Sequence, residues 1–161
     1  MSHEIILPRN WTLRAGDRKV VFIKGNVERP EHVVMKALLW ALYTPQYPHI
    51  SIEIRIGDRY KPDVVALDDQ LQPRFWGESG QVGKEKIHSL VRRYPNTHFA
   101  IAKWNTNLAP YKEIISEALK APKRQAPLDL IQFPENSIEP FFDNDRHINV
   151  TFDDVEWMRF E

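Results

Sequence analysis

The pattern of hydrophobic and polar residues predicts strands and helices in near-regular alternation along the chain. Over residues 50–56, isoleucine recurs at every second position between Ser, Glu and Arg, which is typical of a half-buried strand. Over residues 30–43, apolar residues recur at helical spacing, which predicts a largely buried helix that begins at Pro30. The other predicted strands are residues 11–15, 19–24, 62–67, 74–78, 98–104, 129–133 and 147–155, and the other predicted helices are residues 83–93 and 109–121.

These elements predict an α/β fold, a single domain over residues 1–161 with a mixed β-sheet flanked by helices. The first two strands form a hairpin, and the strands between residues 50 and 78 form a three-stranded meander. Beyond residue 83, helices alternate with strands, which favours a mixed rather than a purely antiparallel sheet. No internal repeat or Gly/Ser linker divides the chain into smaller units.

The composition excludes several classes of protein. With no cysteine, the chain has no disulfide scaffold, no thiolate nucleophile and no cysteine-ligated metal. The six histidines include no pair at metal-binding spacing. The longest uncharged apolar stretch, residues 37–43, is far shorter than the roughly 18 residues of a membrane span. No secretory signal follows Met1, so we expect a cytoplasmic protein that does not enter a membrane.

Charge is divided unevenly along the chain. The segment before Asp129 carries 20 basic and 13 acidic side chains, whereas the acidic C-terminal segment, residues 129–161, carries 2 and 9. The first part could therefore present a basic working face, with the acidic segment as a counterweight, a lid or a partner site. The alternative is that the two parts simply neutralise each other in the fold.

Two acidic residues are placed to share a metal ion. Asp63 begins one predicted strand of the meander and Glu78 ends the next, and adjacent strands lie about 4.8 Å apart. Two carboxylates are enough for Mg²⁺ or Mn²⁺, because such an ion keeps several of its waters. Lys84 and Lys86 follow directly, and an ammonium beside a metal-bound water favours hydrolysis. Taken singly, each acid also has a structural explanation, as turn chemistry for Asp63 or a solvated strand end for Glu78.

The predicted helix at residues 83–93 carries a basic face that could contact DNA or RNA phosphates. Its candidate nucleic-acid-binding residues are Lys84, Lys86, Arg92 and Arg93. The alternative is that these charges are only solvated, as is common for charged helix faces.

The order of these motifs resembles that of the PD-(D/E)XK nuclease superfamily. The likeness rests on Glu31 in the first turn of the apolar helix, on Pro62-Asp63 opening a strand, and on Trp76-Gly77-Glu78-Ser79-Gly80 followed by lysines. Within that superfamily the chain is most similar to the YaeQ family, over roughly residues 11–104.

The resemblance implies a restriction-endonuclease-like fold with a Mg²⁺ or Mn²⁺ site at one edge of the sheet. Asp63, Glu78 and the Ser79 carbonyl would hold the metal, and Glu31 would approach from the helix. The chain departs from the motif at Gly80, where the pattern has lysine. Lys84 or Lys86 would then supply the ammonium group, and we favour Lys86 because Lys84 lies nearer the break at Gly83.

One further residue completes the candidate catalytic set, and two functions are open. Gln81 could hold a water or a phosphate oxygen, and with Glu31, Lys84 and Lys86 it forms the candidate catalytic set. The favoured function is metal-dependent hydrolysis of nucleic-acid phosphodiesters. The alternative is a noncatalytic nucleic-acid-binding or protein-assembly module on the same fold. Apolar edge strands leave a homodimer open.

Overall fold

A six-stranded mixed sheet forms the centre of the fold, in the order β3-β4-β5-β6-β7-β8. The computed structural model describes residues 8–23, 28–120 and 123–161. The strands of the sheet are β3 (Ser51–Ile52), β4 (Val64–Leu67), β5 (Pro73–Ser79), β6 (His98–Trp104), β7 (Leu128–Phe133) and β8 (Glu156–Phe160). A separate hairpin consists of β1 (Asn10–Ala15) and β2 (Arg18–Ile23).

The sheet is antiparallel at both ends and parallel in the middle. Strands β3, β4 and β5 form the predicted meander, whereas β5, β6 and β7 run parallel to one another and β8 returns antiparallel to β7. Parallel neighbours need long crossovers, and helices supply them here. The helices are α1 (Pro30–Tyr43), α2 (Lys84–Arg93), α3 (Ala109–Ala118) and the short α4 (Ile138–Phe141). The predicted α/β class is therefore confirmed.

Each face of the sheet packs its own hydrophobic core. On one face α1 and the hairpin pack together, and every α1 residue from Val33 to Tyr43 is buried, as its apolar pattern predicts. On the other face α2 and α3 pack through residues such as Ile87 and Ile115. Side chains alternate between the two faces along β5, so Phe75 contacts the α1 side and Trp76 the α2 side.

The predicted strand at residues 50–56 is mostly wrong. Only Ser51 and Ile52 pair with β4, because Glu53 has a left-handed backbone, with φ of 54°, that ends the strand. Ile54 beyond it is exposed. The backbone N–H of Glu53 donates instead to the Asp63 carbonyl at 2.9 Å, which links this loop to the start of β4.

The predicted strand at residues 147–155 is also wrong. Thr151 and Asp154 form a reciprocal capping box around a 3-10 turn at Phe152–Asp154, and the strand starts only afterwards, as β8. Three predictions extend outside the described residues: the signal-free N-terminus at residues 1–7, the end of the second hairpin strand at Lys24, and the end of the third helix at Ala121.

The acidic C-terminal segment supplies two strands of the central sheet. Asp129 on β7 is fully buried, and it accepts hydrogen bonds from Tyr43 Oη at 2.6 Å, His98 Nε2 at 2.7 Å and Arg159 Nε at 2.7 Å. One carboxylate thus connects α1, β6, β7 and β8. Among the described residues, no helix has the length and apolar character needed to cross a bilayer.

Candidate functional site

Asp63 lies at the start of β4 with its side chain turned toward the end of β5. Its backbone N–H donates to the Gly77 carbonyl at 3.2 Å, which continues the β4–β5 ladder by one step. Its Oδ2 accepts hydrogen bonds from the Ser79 backbone N–H at 2.8 Å and from Ser79 Oγ at 3.1 Å. These donors fix the orientation of a carboxylate that is only 9% exposed.

Glu78 stands beside Asp63 across the ladder. Val64 pairs with Gly77, so the next step of the antiparallel register sets Asp63 opposite Glu78. The Glu78 side chain is buried, and its Oε1 accepts hydrogen bonds from Trp76 Nε1 at 2.8 Å and from Lys86 Nζ at 3.0 Å. Within the described part of the chain, Asp63 Oδ1 and Glu78 Oε2 have no hydrogen-bond partner.

The two carboxylates are close enough for one charge to act on the other. Burial raises the pKa of Glu78, the Asp63 charge raises it further, and Lys86 and Trp76 oppose the rise, so the pKa is about 6. Burial acts to raise the pKa of Asp63 as well, but the hydrogen bonds and charge of His32 and the Ser79 donors outweigh it and hold that pKa below its usual value. The pair therefore combines a firmly ionised carboxylate with one that resists ionisation.

A charged network on α1 supports Asp63 from the other side. His32 Nε2 lies 3.3 Å from Asp63 Oδ2, and His32 Nδ1 lies 2.7 Å from Glu28 Oε2. Lys36, only 1% exposed, also bonds Glu28 and donates to Glu53 Oε1 at 2.6 Å. Burial acts to lower the pKa of His32, but its bond to Asp63 and the Asp63 charge raise it overall, so the ring favours its protonated form.

Glu31 does not contact either carboxylate. It is half-buried on the wall of an adjacent groove, and no hydrogen bond or ion pair to another described residue involves it. Glu28 and His32, which the sequence analysis does not assign to the site, form the network beside Asp63, and the role of Glu31 at the waters of the metal stays a prediction. The available signal was the spacing of His32 and Lys36, which lie four residues apart and so share one face of α1.

The two candidate lysines of α2 point in different directions. Lys86 is half-buried, and its Nζ contacts Glu78 and lies 4.9 Å from the centroid of the Tyr60 ring. Lys84 is exposed, and its charge acts on Glu117 of α3. The pKa of Glu117 is lowered mainly by its hydrogen bond and ion pair with Lys120, and the Lys84 charge lowers it further. Of the two, the structure brings only Lys86 to the carboxylates.

The remaining residues of the predicted basic surface differ in how freely they face solvent. Arg92 and Arg93 are both exposed. The Arg93 guanidinium pairs with Asp58 and donates to Ser89 Oγ at 3.0 Å, so it is already engaged in contacts within the protein. This leaves Lys84 and Arg92 as the freely projecting cations of the predicted set.

Ser79, Gly80 and Gln81 form the exit from β5. Ser79 is buried and orients Asp63 through two donors, whereas the role of its carbonyl as a metal ligand stays a prediction. Gly80 has φ of +85°, a backbone that disfavours any side chain and ends the strand. Gln81 is exposed and faces the groove that Glu31 also borders.

That groove has a volume of about 710 Å³ and runs between the start of α1, the ends of β5 and β6, and α3. Its walls include His32, Gly80, Gln81, Lys103 and Tyr111. The sequence analysis missed Lys103, because a lysine at the end of an apolar strand gives no sign of which groove it borders.

The Asp63 and Glu78 carboxylates are a minimal set of protein ligands that fits a hard divalent cation. In the part of the chain that the structure describes, no group of three His, Asp or Glu side chains converges on one point. Two adjacent carboxylates are nevertheless sufficient for Mg²⁺, which usually takes one or two carboxylates and keeps its remaining waters. Burial and then the Asp63 charge raise the pKa of Glu78, and a bound cation would oppose both effects.

The fold is similar to that of two solved YaeQ proteins. The YaeQ protein from Pseudomonas syringae matches 83% of this chain and 71% of its own length, at 17% identity and a TM-score of 0.59. The YaeQ protein from Xanthomonas axonopodis pv. citri matches 89% of this chain and 82% of its own, at 12% identity and a TM-score of 0.57. No protein-family model and no curated protein matches the chain.

The predicted likeness to YaeQ proteins is thus confirmed for the fold. At these identities the match concerns backbone architecture, and architecture does not define an activity. The wider assignment to the PD-(D/E)XK superfamily stays a prediction, which depends on the chemistry of Asp63 and Glu78.

Proposed function

We propose that this protein is a divalent-metal-dependent phosphodiester hydrolase of the PD-(D/E)XK type that acts on nucleic acid. The observation that carries the proposal is the pairing of Asp63 with Glu78 across the β4–β5 ladder, with Lys86 Nζ 3.0 Å from Glu78. A purely structural sheet edge gains nothing from two adjacent buried carboxylates, whereas a hydrolytic metal site requires them.

The proposed site would hold Mg²⁺ or Mn²⁺ on Asp63, Glu78 and the Ser79 carbonyl. When bound, such an ion lowers the pKa of a coordinated water and offsets negative charge at the phosphorus. The protein would keep Asp63 ionised through His32 and Ser79, so that carboxylate would be ready for the cation at neutral pH.

Other residues would position the water and the substrate. The Lys86 ammonium would hold Glu78 in place and orient the attacking water, as the departure at Gly80 requires. Gln81 and Glu31, which border the groove, would contact a phosphate oxygen and the waters around the site, respectively. Lys84 and Arg92, exposed on α2, would contact the nucleic-acid backbone without reading its sequence.

A noncatalytic nucleic-acid-binding or assembly module is the second candidate. One observation favours it: Asp63 Oδ2 and Glu78 Oε1 are already satisfied by protein donors. In that case Lys86 would simply neutralise Glu78, and the pair would stabilise the end of the sheet.

A cleavage assay separates the two functions. End-labelled single-stranded DNA, duplex DNA and RNA are incubated with the protein in Mn²⁺, Mg²⁺ or EDTA. We expect metal-dependent cleavage of at least one substrate, reduced at least 100-fold in Glu78→Gln and Asp63→Asn, and unchanged in Glu85→Gln, a matched exposed acid on α2. Cleavage that survives Glu78→Gln, or no cleavage in any metal, would support the noncatalytic module.

A further inference from the structure

Lys103 holds a buried positive charge beside the proposed site. It lies on β6 and is only 4% exposed, its Nζ donates to the Gly80 carbonyl at 2.6 Å, and the same nitrogen lies 4.0 Å from the centroid of the Tyr111 ring. No carboxylate among the described residues forms an ion pair with it. An ammonium has three donors, so this one retains capacity for an anion.

The register explains how Lys103 reaches the end of β5. Ser79 pairs with Ala102 on the parallel neighbour β6, so one step further on Lys103 lies beside Gly80. Ile101 packs on the α2–α3 face, and Lys103, two residues later, projects from that same face. From there its Nζ reaches the Gly80 carbonyl.

A buried cation without a counter-ion is a costly feature for a fold to keep. Burial alone lowers the pKa of Lys103 to about 8. The carbonyl and the aromatic face that contact it offset only part of the lost hydration. An anion entering the groove would supply the missing charge partner.

The other charges of the groove restrict where an anion fits. On the α1 side both signs of charge border it, Glu28 and Glu31 beside Arg29 and His32, whereas Lys103 and Tyr111 border it on the α3 side. Gln81 lies between, with an exposed amide that can donate to an oxyanion. Among the described residues that line the groove, those on the α3 side next to Gly80 include a cation and no carboxylate.

We propose that Lys103 binds a phosphoryl oxyanion at the α3 end of this groove, with Gln81 as a second donor. The choice of a phosphoryl group over a carboxylate as the bound anion rests on the proposed function. That Lys103 binds an anion here follows from its buried ammonium and its position, which do not depend on that function. Lys103 is a ligand-binding residue in this proposal, and it needs no metal to act.

Phosphate binding in EDTA tests the proposal. Inorganic phosphate, a phosphodiester dinucleotide and acetate are titrated by calorimetry into wild type, Lys103→Met, Lys103→Arg and Lys19→Met, an exposed control on β2 outside the groove. We expect both phosphates to bind wild type and Lys19→Met, a loss of at least tenfold in Lys103→Met, and retention within about threefold in Lys103→Arg. Equal binding by Lys103→Met, or acetate binding as tightly as phosphate, would overturn the proposal.

A measurement on wild type removes the dependence on folding of the Lys103→Met variant. Reductive methylation followed by peptide mass spectrometry gives the modification rate of each lysine. Phosphate should slow modification of Lys103 severalfold and leave the exposed Lys19 on β2 unchanged. An unaltered Lys103 rate at saturating phosphate would contradict the proposal.

The outcomes for the two proposals can be told apart. Phosphate binding that requires Lys103, in a protein that cleaves nothing, would contradict the proposed hydrolase and leave this inference standing. Metal-dependent cleavage combined with phosphate binding that is unchanged in Lys103→Met would support the proposed hydrolase and contradict this inference. Glu78→Gln should abolish cleavage while phosphate binding in EDTA remains.

Discussion

At the scale of single residues, the ionised Glu78 carboxylate destabilises the metal-free fold, and its contacts within the protein do not remove that effect. Its carboxylate is buried beside Asp63, and its pKa of about 6 lies above the usual 4.5 even with Lys86 in contact. Residues that destabilise their own fold are found more often at functional sites than elsewhere. This cost can be measured.

The variant Glu78→Gln should stabilise the metal-free protein at high pH. One pKa unit corresponds to about 1.4 kcal/mol, so we expect a gain of about 1 to 2 kcal/mol at pH 8. A raised pKa in the folded state means that Glu78 favours folding most below pH 4.5 and loses that contribution as the pH rises through about 6.

Thermal unfolding in EDTA at pH 5 and pH 8 checks this. The difference between Glu78→Gln and wild type should be largest at pH 8 and less than half as large at pH 5, while the exposed control Glu85→Gln follows wild type at both. A Glu78→Gln variant that is less stable than wild type at pH 8 would contradict the prediction, because it would show that the Glu78 carboxylate stabilises the folded protein.

Lys86 and Lys84 offer a matched pair for activity. Under the proposed function, Lys86→Met should lower kcat about 100-fold with little change in KM, because its ammonium acts at the attacking water. Lys84→Met should change kcat by less than threefold. Single-turnover cleavage of the preferred substrate measures both, and equal losses in the two variants would contradict the role given to Lys86.

Part of the candidate site could be predicted from sequence and part could not. Asp63 and Glu78 could be placed near each other because strand order and register follow from a meander of short strands. His32 and Lys103 could not, since their roles depend on tertiary contacts between α1 and the start of β4 and between β6 and the exit from β5. Glu31 lies in the first turn of α1 as predicted, and its role at the waters of the metal stays a prediction.

At the scale of elements, the β4–β5 pair and α1 are pressed together at Gly77. A Cβ at Gly77 would lie 2.4 Å from Val64 Cγ2 and 3.4 Å from Leu39 Cδ1. The absence of a side chain here lets α1 pack directly on the strand that carries Glu78. The sequence showed a glycine next to Glu78, but not that a helix covers it.

Gly77→Ala should therefore destabilise the protein by about 1 to 3 kcal/mol through overpacking. The control is Gly83→Ala, at the start of α2, where a Cβ would meet nothing within 4 Å and the backbone is extended. That change should cost less than about 1 kcal/mol. Urea unfolding measures both, and a Gly77→Ala variant as stable as Gly83→Ala would contradict the close approach.

Element prediction failed where one residue broke a regular pattern. The isoleucines of residues 50–56 alternate as in a strand, but the left-handed Glu53 ends it, held there by Lys36 and by the Asp63 carbonyl. Long-range contacts of this kind override local periodicity. The same network supports Asp63, so the failed prediction falls next to the candidate site.

At the scale of the whole molecule, the acidic segment is part of the framework. Strands β7 and β8 extend the sheet, and Asp129 joins them to α1 and β6 through Tyr43, His98 and Arg159. Burial acts to raise the pKa of Asp129, but these three donors outweigh it and lower that pKa. The charge asymmetry seen in the sequence could not show that one of these acids is fully buried.

Asp129→Ala should lower the free energy of unfolding by about 3 to 5 kcal/mol, because it leaves Arg159 and His98 without their shared partner. Glu156→Gln is the matched control on the neighbouring strand and should change stability by less than about 0.5 kcal/mol, because its exposed side chain accepts a hydrogen bond from Gln132 at 2.9 Å and from no other described residue. Denaturant unfolding compares the two, and a similar small effect for both would contradict the framework role.

The central claim is that Asp63 and Glu78 bind one divalent cation, and anomalous diffraction from Mn²⁺-soaked crystals tests it directly. We predict a single strong peak between Asp63 Oδ1 and Glu78 Oε2, about 2.1 Å from each, and its loss in crystals of Glu78→Gln. No peak between these oxygens, or carboxylates too far apart for one ion to contact both, would contradict the account.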